Sequence, residues 1–136
     1  MNVLIDTCVI IDVLQKREPF WEDAKDIFMA VANRKIRGFI TAKSTADIYY
    51  IMYRYFHSNN DTRKMMEDIF KLFEVIDTTA EDCKKALISE LADFEDAIMV
   101  ESAIRSEMDC IVTRNIKDYV NASITIYSPK ELLDNI

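Results

Sequence analysis

VLIDT, at residues 3–7, is an apolar run that ends in the carboxylate of Asp6. A second apolar run, IVTRN at residues 111–115, ends in polar side chains and is followed by Asp118. In parallel α/β folds, ligands bind outside the carboxyl ends of the strands. If both runs are strands of one parallel sheet, their acids and amides form a shared negative pocket, which most naturally holds a divalent cation.

Helical and strand patterns alternate along the rest of the chain. Helices are predicted after the first strand, within 24–31, 48–55 and 66–73, near 79–92 and 94–107, and from Pro129 onward. Short strands are predicted at 38–41, 74–77, 110–113 and 124–126. Pro19 is expected to end the first helix and to start the second. The alternation predicts a single three-layer α/β/α domain over residues 1–136, with a four- to five-stranded, mainly parallel sheet and helices on both faces.

The charge balance is acidic, with 17 basic and 24 acidic side chains among 136 residues and a net charge of −7. Nucleic-acid-binding domains usually carry a positive surface, so this balance counts against a nuclease. Bound cations would cancel much of that charge at the place where a phosphate would lie. Gly38 is the only glycine, which excludes Gly-rich phosphate loops and makes a nucleotide cradle unexpected.

The cysteines and the histidine exclude several kinds of site. Cys8, Cys83 and Cys110 are far apart and form no CxxC pair, which argues against zinc or a disulfide framework and for a reducing, cytoplasmic location. The single histidine, His57, falls at the far end of its predicted helix, so no Ser/His or Cys/His nucleophile system is expected. No apolar run approaches the roughly 20 residues of a membrane span, and no membrane partner is predicted.

Two further acids lie near predicted helix starts. Asp47 follows Ser44 by three residues and Asp96 follows Asp93 by three, which is the spacing of a capping box. Thr79 and Asp82 have the same spacing and are predicted to form only a cap. Asp96, however, shares an apolar helical stripe, and a carboxylate there must be paired, hydrogen-bonded or metal-bound. Asp47 also points partly inward.

These acids suggest an oxygen-only cation site. Its candidate ligands are Asp6, Asp47, Asp96 and either Asn115 or Asp118. Oxygen ligands in octahedral geometry select Mg²⁺ or Mn²⁺. Without a protein nucleophile, the remaining chemistry is metal-driven, and hydrolysis of a phosphodiester fits these groups best.

The chain resembles the PIN domain family, the nuclease fold of many bacterial toxin–antitoxin ribonucleases. It is most similar to the branch with an Asp-Phe-Glu-Asp signature, here DFED at 93–96. Other matching pieces follow in order along nearly the whole chain: LIDT at 4–7, IT at 40–41, ADIYY at 46–50, IVTRN at 111–115, KDY at 117–119 and SPKELL at 128–133. Each piece is common alone, but their order and spacing together are specific.

The resemblance implies roles for the acids. Asp6 and Asp96 are expected to be central metal ligands. The family's second acid is usually a glutamate, and Asp47 with its shorter side chain holds that place. The fourth acid falls on Asn115, which can coordinate but adds no charge, and Asp118 could make up the loss. The catalytic set expected from this resemblance is therefore the four aspartates at positions 6, 47, 96 and 118.

Other residues border this predicted pocket. Thr113 would orient water or a ligand through its hydroxyl, and Asp93 is either a fifth acid at the rim or the N-cap of its helix. Six basic residues could meet a phosphate backbone: Lys16, Arg17, Lys43, Arg54, Arg114 and Lys117. Arg17 and Arg114 are the first choices for substrate contact, while a solvated surface is the alternative for most of the six.

The leading hypothesis is a metal-dependent endoribonuclease that acts as the toxin of a toxin–antitoxin pair. The resemblance further implies a single-stranded RNA substrate, an antitoxin partner and a homodimer. One alternative is a catalytically weak or inactive PIN-like binding module. Asp47 stands where the family usually has a glutamate and Asn115 where it has an acid, and both changes would lower the affinity for metal. Another is a receiver-type Mg²⁺-binding signalling domain, although that fold expects paired acids where Asp6 stands alone.

Overall fold

The computed structural model describes residues 1–136 as one α/β unit with a five-stranded parallel sheet and seven α-helices. The strands are β1 (Asn2–Ile5), β2 (Arg37–Thr41), β3 (Glu74–Ile76), β4 (Cys110–Val112) and β5 (Thr125–Tyr127). The helices are α1 (Thr7–Leu14), α2 (Trp21–Ala32), α3 (Ala42–Phe56), α4 (Asn59–Leu72), α5 (Ala80–Leu87), α6 (Phe94–Arg105) and α7 (Pro129–Asp134). A short 3₁₀ helix, Ile116–Tyr119, follows β4. The predicted fold class is confirmed.

The first strand lies at the centre of the sheet. The strand order is β3-β2-β1-β4-β5, and all four pairings are parallel. Val3, Leu4 and Ile5 are fully buried, because a central strand of a parallel sheet is covered on both faces. The carboxyl end of β1 therefore lies between the carboxyl ends of β2 and β4, and Asp6 is the first residue beyond it.

Helices cover both faces of the sheet. Alternate residues of β1 point to opposite faces, so Val3 and Ile5 enter a cluster of 19 buried residues that also contains side chains of α1, α2, α3 and α4. Leu4 enters a second cluster of 8 buried residues formed mainly with α6. The one glycine permits a close approach, since a Cβ on Gly38 would lie 2.8 Å from both Phe73 and Val31.

Two predicted helix boundaries are wrong. Pro19 does not start the second helix, because residues 15–20 form a turn and α2 begins at Trp21. Backbone hydrogen bonds from Arg17 to the Asp12 carbonyl and from Phe20 to the Arg17 carbonyl hold that turn. The helix predicted near 79–92 ends at Leu87, where the last turn tightens. No helix combines the length and the apolar character that crossing a membrane requires.

Candidate active site

Three aspartates and Glu95 line one cavity of about 480 Å³ at the carboxyl end of the sheet. Asp6 follows β1, Asp47 lies in the second turn of α3, and Asp96 lies in the first turn of α6. The structure thus brings together acids that are 41 and 49 positions apart along the chain. Their roles as metal ligands stay a prediction.

Asp6 is held by two hydroxyl groups. It directly precedes α1 but its side chain caps no backbone N–H, so the carboxylate is free to face the cavity. Its Oδ2 accepts a hydrogen bond from Thr113 Oγ1 at 2.8 Å and another from the Tyr119 hydroxyl at 3.2 Å. Thr113 is fully buried, and its Oγ1 accepts from the Asn115 backbone N–H at 3.1 Å. The hydroxyl of Thr113 therefore fixes the orientation of Asp6.

Asp96 does not form the capping box that its spacing suggested. Asp93 is the N-cap of α6, and its Oδ1 accepts from the Asp96 backbone N–H at 2.9 Å, so the N-cap alternative for Asp93 is the one observed. The reciprocal side-chain bond is missing, because Asp96 Oδ1 instead accepts from the Tyr119 hydroxyl at 3.1 Å. Asp96 can therefore contribute its carboxylate to the cavity.

The two acids influence each other's charge. Burial first, and then the charges of Asp6 and Asp93, together raise the pKa of the Asp96 carboxyl to about 6. The hydrogen bond from Tyr119 opposes this increase. Two carboxylates in a partly dry cavity repel each other, and a divalent cation is the kind of ligand that would relieve this repulsion.

Tyr119 is a site residue that the sequence did not reveal. Its ring is buried among apolar side chains, while its hydroxyl reaches both Asp6 and Asp96. Burial and the two nearby carboxylates raise the pKa of this phenol, so it stays a hydrogen-bond donor. The only sequence signal for a role of Tyr119 in the site is its position next to Asp118. A buried tyrosine and an apolar core residue occupy the same positions in the hydrophobic pattern, so the pattern does not distinguish them.

Asp47 is paired with a lysine of its own helix. Lys43 Nζ lies 2.6 Å from Asp47 Oδ2 and 3.1 Å from Glu95 Oε2, and it also lines the cavity. The alternative interpretation of Ser44 and Asp47 as a capping box does not hold, because Thr41 is the N-cap of α3 and its Oγ1 accepts from the Ser44 N–H. This shift places Asp47 one turn further into the helix, where Lys43 can reach it.

The donor set suits a hard cation, although the acids are not gathered into a closed cage. The cavity offers carboxylate and hydroxyl oxygens, which are ligands that Mg²⁺ and Mn²⁺ accept. No three His, Cys, Asp or Glu side chains converge closely enough to form a ready metal-binding group. Asp6 and Asp96 are tied together through Tyr119, while Asp47 is neutralised by Lys43.

Neither candidate for the fourth ligand lines the cavity. Asn115 directly precedes the 3₁₀ helix, and its carbonyl accepts from the Asp118 N–H at 2.9 Å. Asp118 is exposed, yet its charge contributes to the raised pKa of Asp96. Both residues therefore lie outside the cavity lining, on the segment that carries Thr113 and Tyr119.

The basic residues are arranged differently from the first expectation. Neither Arg17 nor Arg114 lines the cavity, and the cations that do so are Lys43 and Arg54. Arg17 Nε donates to Gln15 Oε1, at 3.1 Å. Arg114 Nε donates to Asp12 Oδ2 at 2.8 Å. The ion pair with Asp12 thus engages Arg114, one of the two side chains first expected to contact substrate.

The remaining nucleophile candidates are unsuited to catalysis. Burial and the charge of Asp6 raise the pKa of the Cys8 thiol to about 11, so it stays protonated near neutral pH. Cys8 Sγ lies 3.6 Å from Thr113 Oγ1, the hydroxyl that donates to Asp6. His57 is the C-cap of α3, at the far end of its helix as predicted, and its side chain is exposed. The chemistry of the cavity therefore belongs to oxygen ligands.

Comparison with known proteins gives a family and a fold. A family model described as PIN domain matches residues 2–117.

Solved structures with a similar fold were also found. A toxin–antitoxin complex from Klebsiella pneumoniae has 20% identity and a TM-score of 0.69, and the match covers 94% of this chain and 98% of that one. DNA-bound VapBC from Salmonella typhimurium has 17% identity and a TM-score of 0.68, covering 95% and 98%. VapBC2 from Rickettsia felis, bound to a promoter DNA fragment, has 14% identity and a TM-score of 0.68, covering 94% and 98%. At these identities the structures show a shared fold. No curated protein matches the chain.

Proposed function

The chain belongs to the PIN domain family, and from this membership we propose that it is a metal-dependent endoribonuclease that hydrolyses RNA phosphodiester bonds. One observation carries the proposal. Asp6, Asp47 and Asp96 come from separate elements to line a single cavity, and Asp6 and Asp96 share one hydroxyl donor there. Lys43 is paired with Asp47, whereas Asp6 and Asp96 form no ion pair, and partly buried carboxylates without one are costly unless a bound cation neutralises them.

In this proposal, some residues of the site would bind the metal ion and others would hold those ligands in position. Asp6 and Asp96 would hold Mg²⁺ or Mn²⁺, and Asp47 would join them when Lys43 turns away from it. Such an ion, when bound, would supply an activated water and neutralise charge on the phosphate. Thr113 and Tyr119 hold the first two carboxylates in place by hydrogen bonds.

Cations at the cavity support a phosphate-containing substrate. Lys43 and Arg54 line the same cavity as the acids, so a phosphate beside the metal site would meet two positive side chains. These two residues replace Arg17 and Arg114 as our first choices for substrate contact. A single strand is the proposed form of the RNA, because a flexible strand can be drawn into a narrow groove.

The structural neighbours support a biological role. Several of them are toxin–antitoxin complexes, and we propose that this chain is the toxin of such a pair, acting in the cytoplasm and blocked by an antitoxin protein. A homodimer is proposed on the same family basis. Exposed aromatic residues on α3, among them Tyr50 at 60% exposure, offer surface for a protein contact.

The direct test is cleavage of single-stranded RNA with Mn²⁺ or Mg²⁺. Wild type is expected to cleave, chelation with EDTA to stop it, and Asp6→Asn and Asp96→Asn each to lose activity while remaining folded. Asp23→Asn is the matched control, because Asp23 is an exposed acid on α2 away from the cavity. No cleavage by wild type, or undiminished cleavage by both variants, would contradict the proposal.

A second candidate is a PIN-like binding module with little activity. The position of Lys43 favours it, because this internal cation already pairs with Asp47 and Glu95, two of the four acids that line the cavity. Calorimetric titration with Mn²⁺ separates the candidates, since tight binding that Asp6→Asn abolishes supports the enzyme. The family match over residues 2–117 leaves no ground for the receiver-type alternative.

A further inference from the structure

A buried acid outside the cavity forms an ion pair with the residue that follows Thr113. Asp12 lies on α1 with 1% of its surface exposed, and its Oδ2 accepts from Arg114 Nε at 2.8 Å. The pair joins positions 102 residues apart. It therefore ties the first helix to the segment after β4 that carries the hydroxyl donors of the site.

Stability alone does not account for this pair. Asp12 Oδ1 is buried and has no hydrogen-bond partner. Burying a charge is costly, and an ion pair that leaves one oxygen unsatisfied contributes less than a well-packed apolar pair would. An apolar residue would suit the position better, since Val9, Ile10 and Ile11 beside it are all core residues.

A second buried aspartate shows what a fully satisfied pair looks like. Asp82 is 2% exposed, and its carboxylate accepts hydrogen bonds from Arg105, from Ser102 Oγ and from the Thr79 N–H. It was predicted to be only a cap, and the structure adds this ion pair between α5 and α6 to its role. Asp82 therefore stabilises the fold, and it is the fully hydrogen-bonded aspartate with which Asp12 can be compared.

The side chain of Arg114 is held from two sides. Its guanidinium carbon lies 4.4 Å from the centroid of the Phe20 ring, while its Nε is bound to Asp12. Only 26% of the side chain is exposed. A guanidinium fixed between a carboxylate and an aromatic face cannot swing freely, so the backbone at Arg114 is anchored as well.

The anchored segment carries both hydroxyl donors of the site. The residue before Arg114 is Thr113, whose Oγ1 donates to Asp6. The residue after it is Asn115, whose N–H donates back to Thr113 Oγ1. Four residues further on, Tyr119 reaches both Asp6 and Asp96. A shift of this segment would move both hydroxyls away from the acids.

We propose that Asp12 is a positioning residue that, through Arg114, holds residues 113–119 so that their two hydroxyl donors meet Asp6 and Asp96. The inference rests on the proposed nuclease function and deepens it. It assigns a task to a residue that does not line the cavity and that no substrate or metal would touch.

The test compares two substitutions that each remove a buried carboxylate. Asp12→Asn is expected to lower kcat for Mn²⁺-dependent RNA cleavage by about tenfold to a hundredfold, with KM nearly unchanged and a small fall in melting temperature. Asp82→Asn is expected to behave in the opposite way, with a larger fall in melting temperature and a kcat near that of wild type. Equal kcat values in Asp12→Asn and wild type would overturn the proposal.

A second readout is independent of activity. In metal-free protein, Asp12→Asn is expected to speed hydrogen–deuterium exchange at the amides of residues 113–119, while Asp82→Asn leaves this exchange unchanged. Unchanged exchange in Asp12→Asn would overturn the positioning role even if wild type cleaves no RNA. Absence of cleavage by wild type would instead contradict the proposed nuclease function.

A double substitution covers the case in which Asp12→Asn does not fold. Asp12→Leu with Arg114→Met replaces the ion pair by apolar side chains, and such replacements are often neutral or stabilising. The double variant is expected to melt near or above wild type, and its amides at 113–119 are expected to exchange faster. Wild-type exchange in this folded variant would overturn the proposal.

Discussion

Asp6 and Asp96 share a single hydrogen-bond donor, the Tyr119 hydroxyl, which lies 3.2 Å from Asp6 Oδ2 and 3.1 Å from Asp96 Oδ1. A phenol carries one hydrogen, so it cannot fully satisfy two carboxylates at the same time. The pair is consequently short of positive partners in a partly buried place. This relationship supports the proposal that a divalent cation binds between them.

Removal of the shared donor should change the pH dependence of the proposed RNA cleavage. Tyr119→Phe keeps the buried ring but deletes the hydroxyl, whose hydrogen bond lowers the pKa of Asp96. Protons then compete better with the metal, so the pH of half-maximal Mn²⁺-dependent cleavage should shift upward. Tyr127→Phe is the matched control, because Tyr127 lies on β5 outside the cavity. Identical pH profiles for Tyr119→Phe and wild type would count against this role.

The raised pKa of Asp96 should also appear in the stability of the metal-free protein. Its pKa is about 6 in the folded state and about 3.9 in an unfolded chain, so the folded state binds more protons between these values. Ionisation of Asp96 therefore destabilises the fold above pH 6, and this cost disappears as the pH falls below about 4. Asp96→Asn should exceed wild type in unfolding free energy by on the order of 1 kcal/mol at pH 7.5.

The measurement for this prediction is urea unfolding of both proteins between pH 4 and pH 7.5 in EDTA. The difference in unfolding free energy should shrink steadily as the pH falls. Asp23→Asn serves as the control and should show no such trend. A difference in unfolding free energy that is constant with pH would mean that folding does not raise the pKa of Asp96.

Lys43 should affect metal and substrate in opposite directions. It pairs with Asp47 at 2.6 Å and with Glu95 at 3.1 Å, so Lys43→Met removes a cation that competes with the metal. Mn²⁺ should bind several-fold more tightly in calorimetry, while KM for RNA should rise because the proposed contact of Lys43 with phosphate is lost. Lys71→Met is a suitable control, since Lys71 forms an exposed pair with Asp68 on α4. Parallel changes in both constants would contradict this account of Lys43.

The ionised carboxylate of Asp82 should contribute to the unfolding free energy, and this contribution should depend on pH. Although burial raises its pKa, hydrogen bonds led by Arg105 lower it to about 2, against roughly 3.9 in an unfolded chain. The contribution is therefore present above about pH 4 and is lost as the pH falls toward 2. Asp82→Asn should lose about 2 kcal/mol of unfolding free energy at pH 7, with a much smaller loss at pH 2.5. Thermal unfolding of both proteins at the two pH values measures this, and an equal loss at both would refute it.

The parts of the fold that local pattern determines could be predicted from the sequence. VLIDT and IVTRN are short, apolar and followed by polar groups, which suits central strands of a parallel sheet. The same reasoning placed Asp6 at a strand end and Asp96 at the top of an apolar helix face, and the structure places both at one cavity. Position along a strand or a helix was sufficient in these cases.

The partners of those acids could not be predicted, because they depend on tertiary contacts. Tyr119 and Thr113 reach Asp6 from 113 and 107 residues away. Arg114 was expected to face the substrate, but its partner Asp12 lies on another element. One signal was present, since Asp12 interrupts the apolar sequence of α1 and a charge in such a place requires a partner.

The most direct test of the account is a crystal soaked in Mn²⁺ and measured at a wavelength where manganese scatters anomalously. We predict an anomalous peak between Asp6 and Asp96, with a carboxylate oxygen of each within about 2.2 Å of the ion. The same soak of Asp6→Asn should lose most of the peak. No peak in wild type, or a peak bound away from these two carboxylates, would contradict the proposal that they form a cation site.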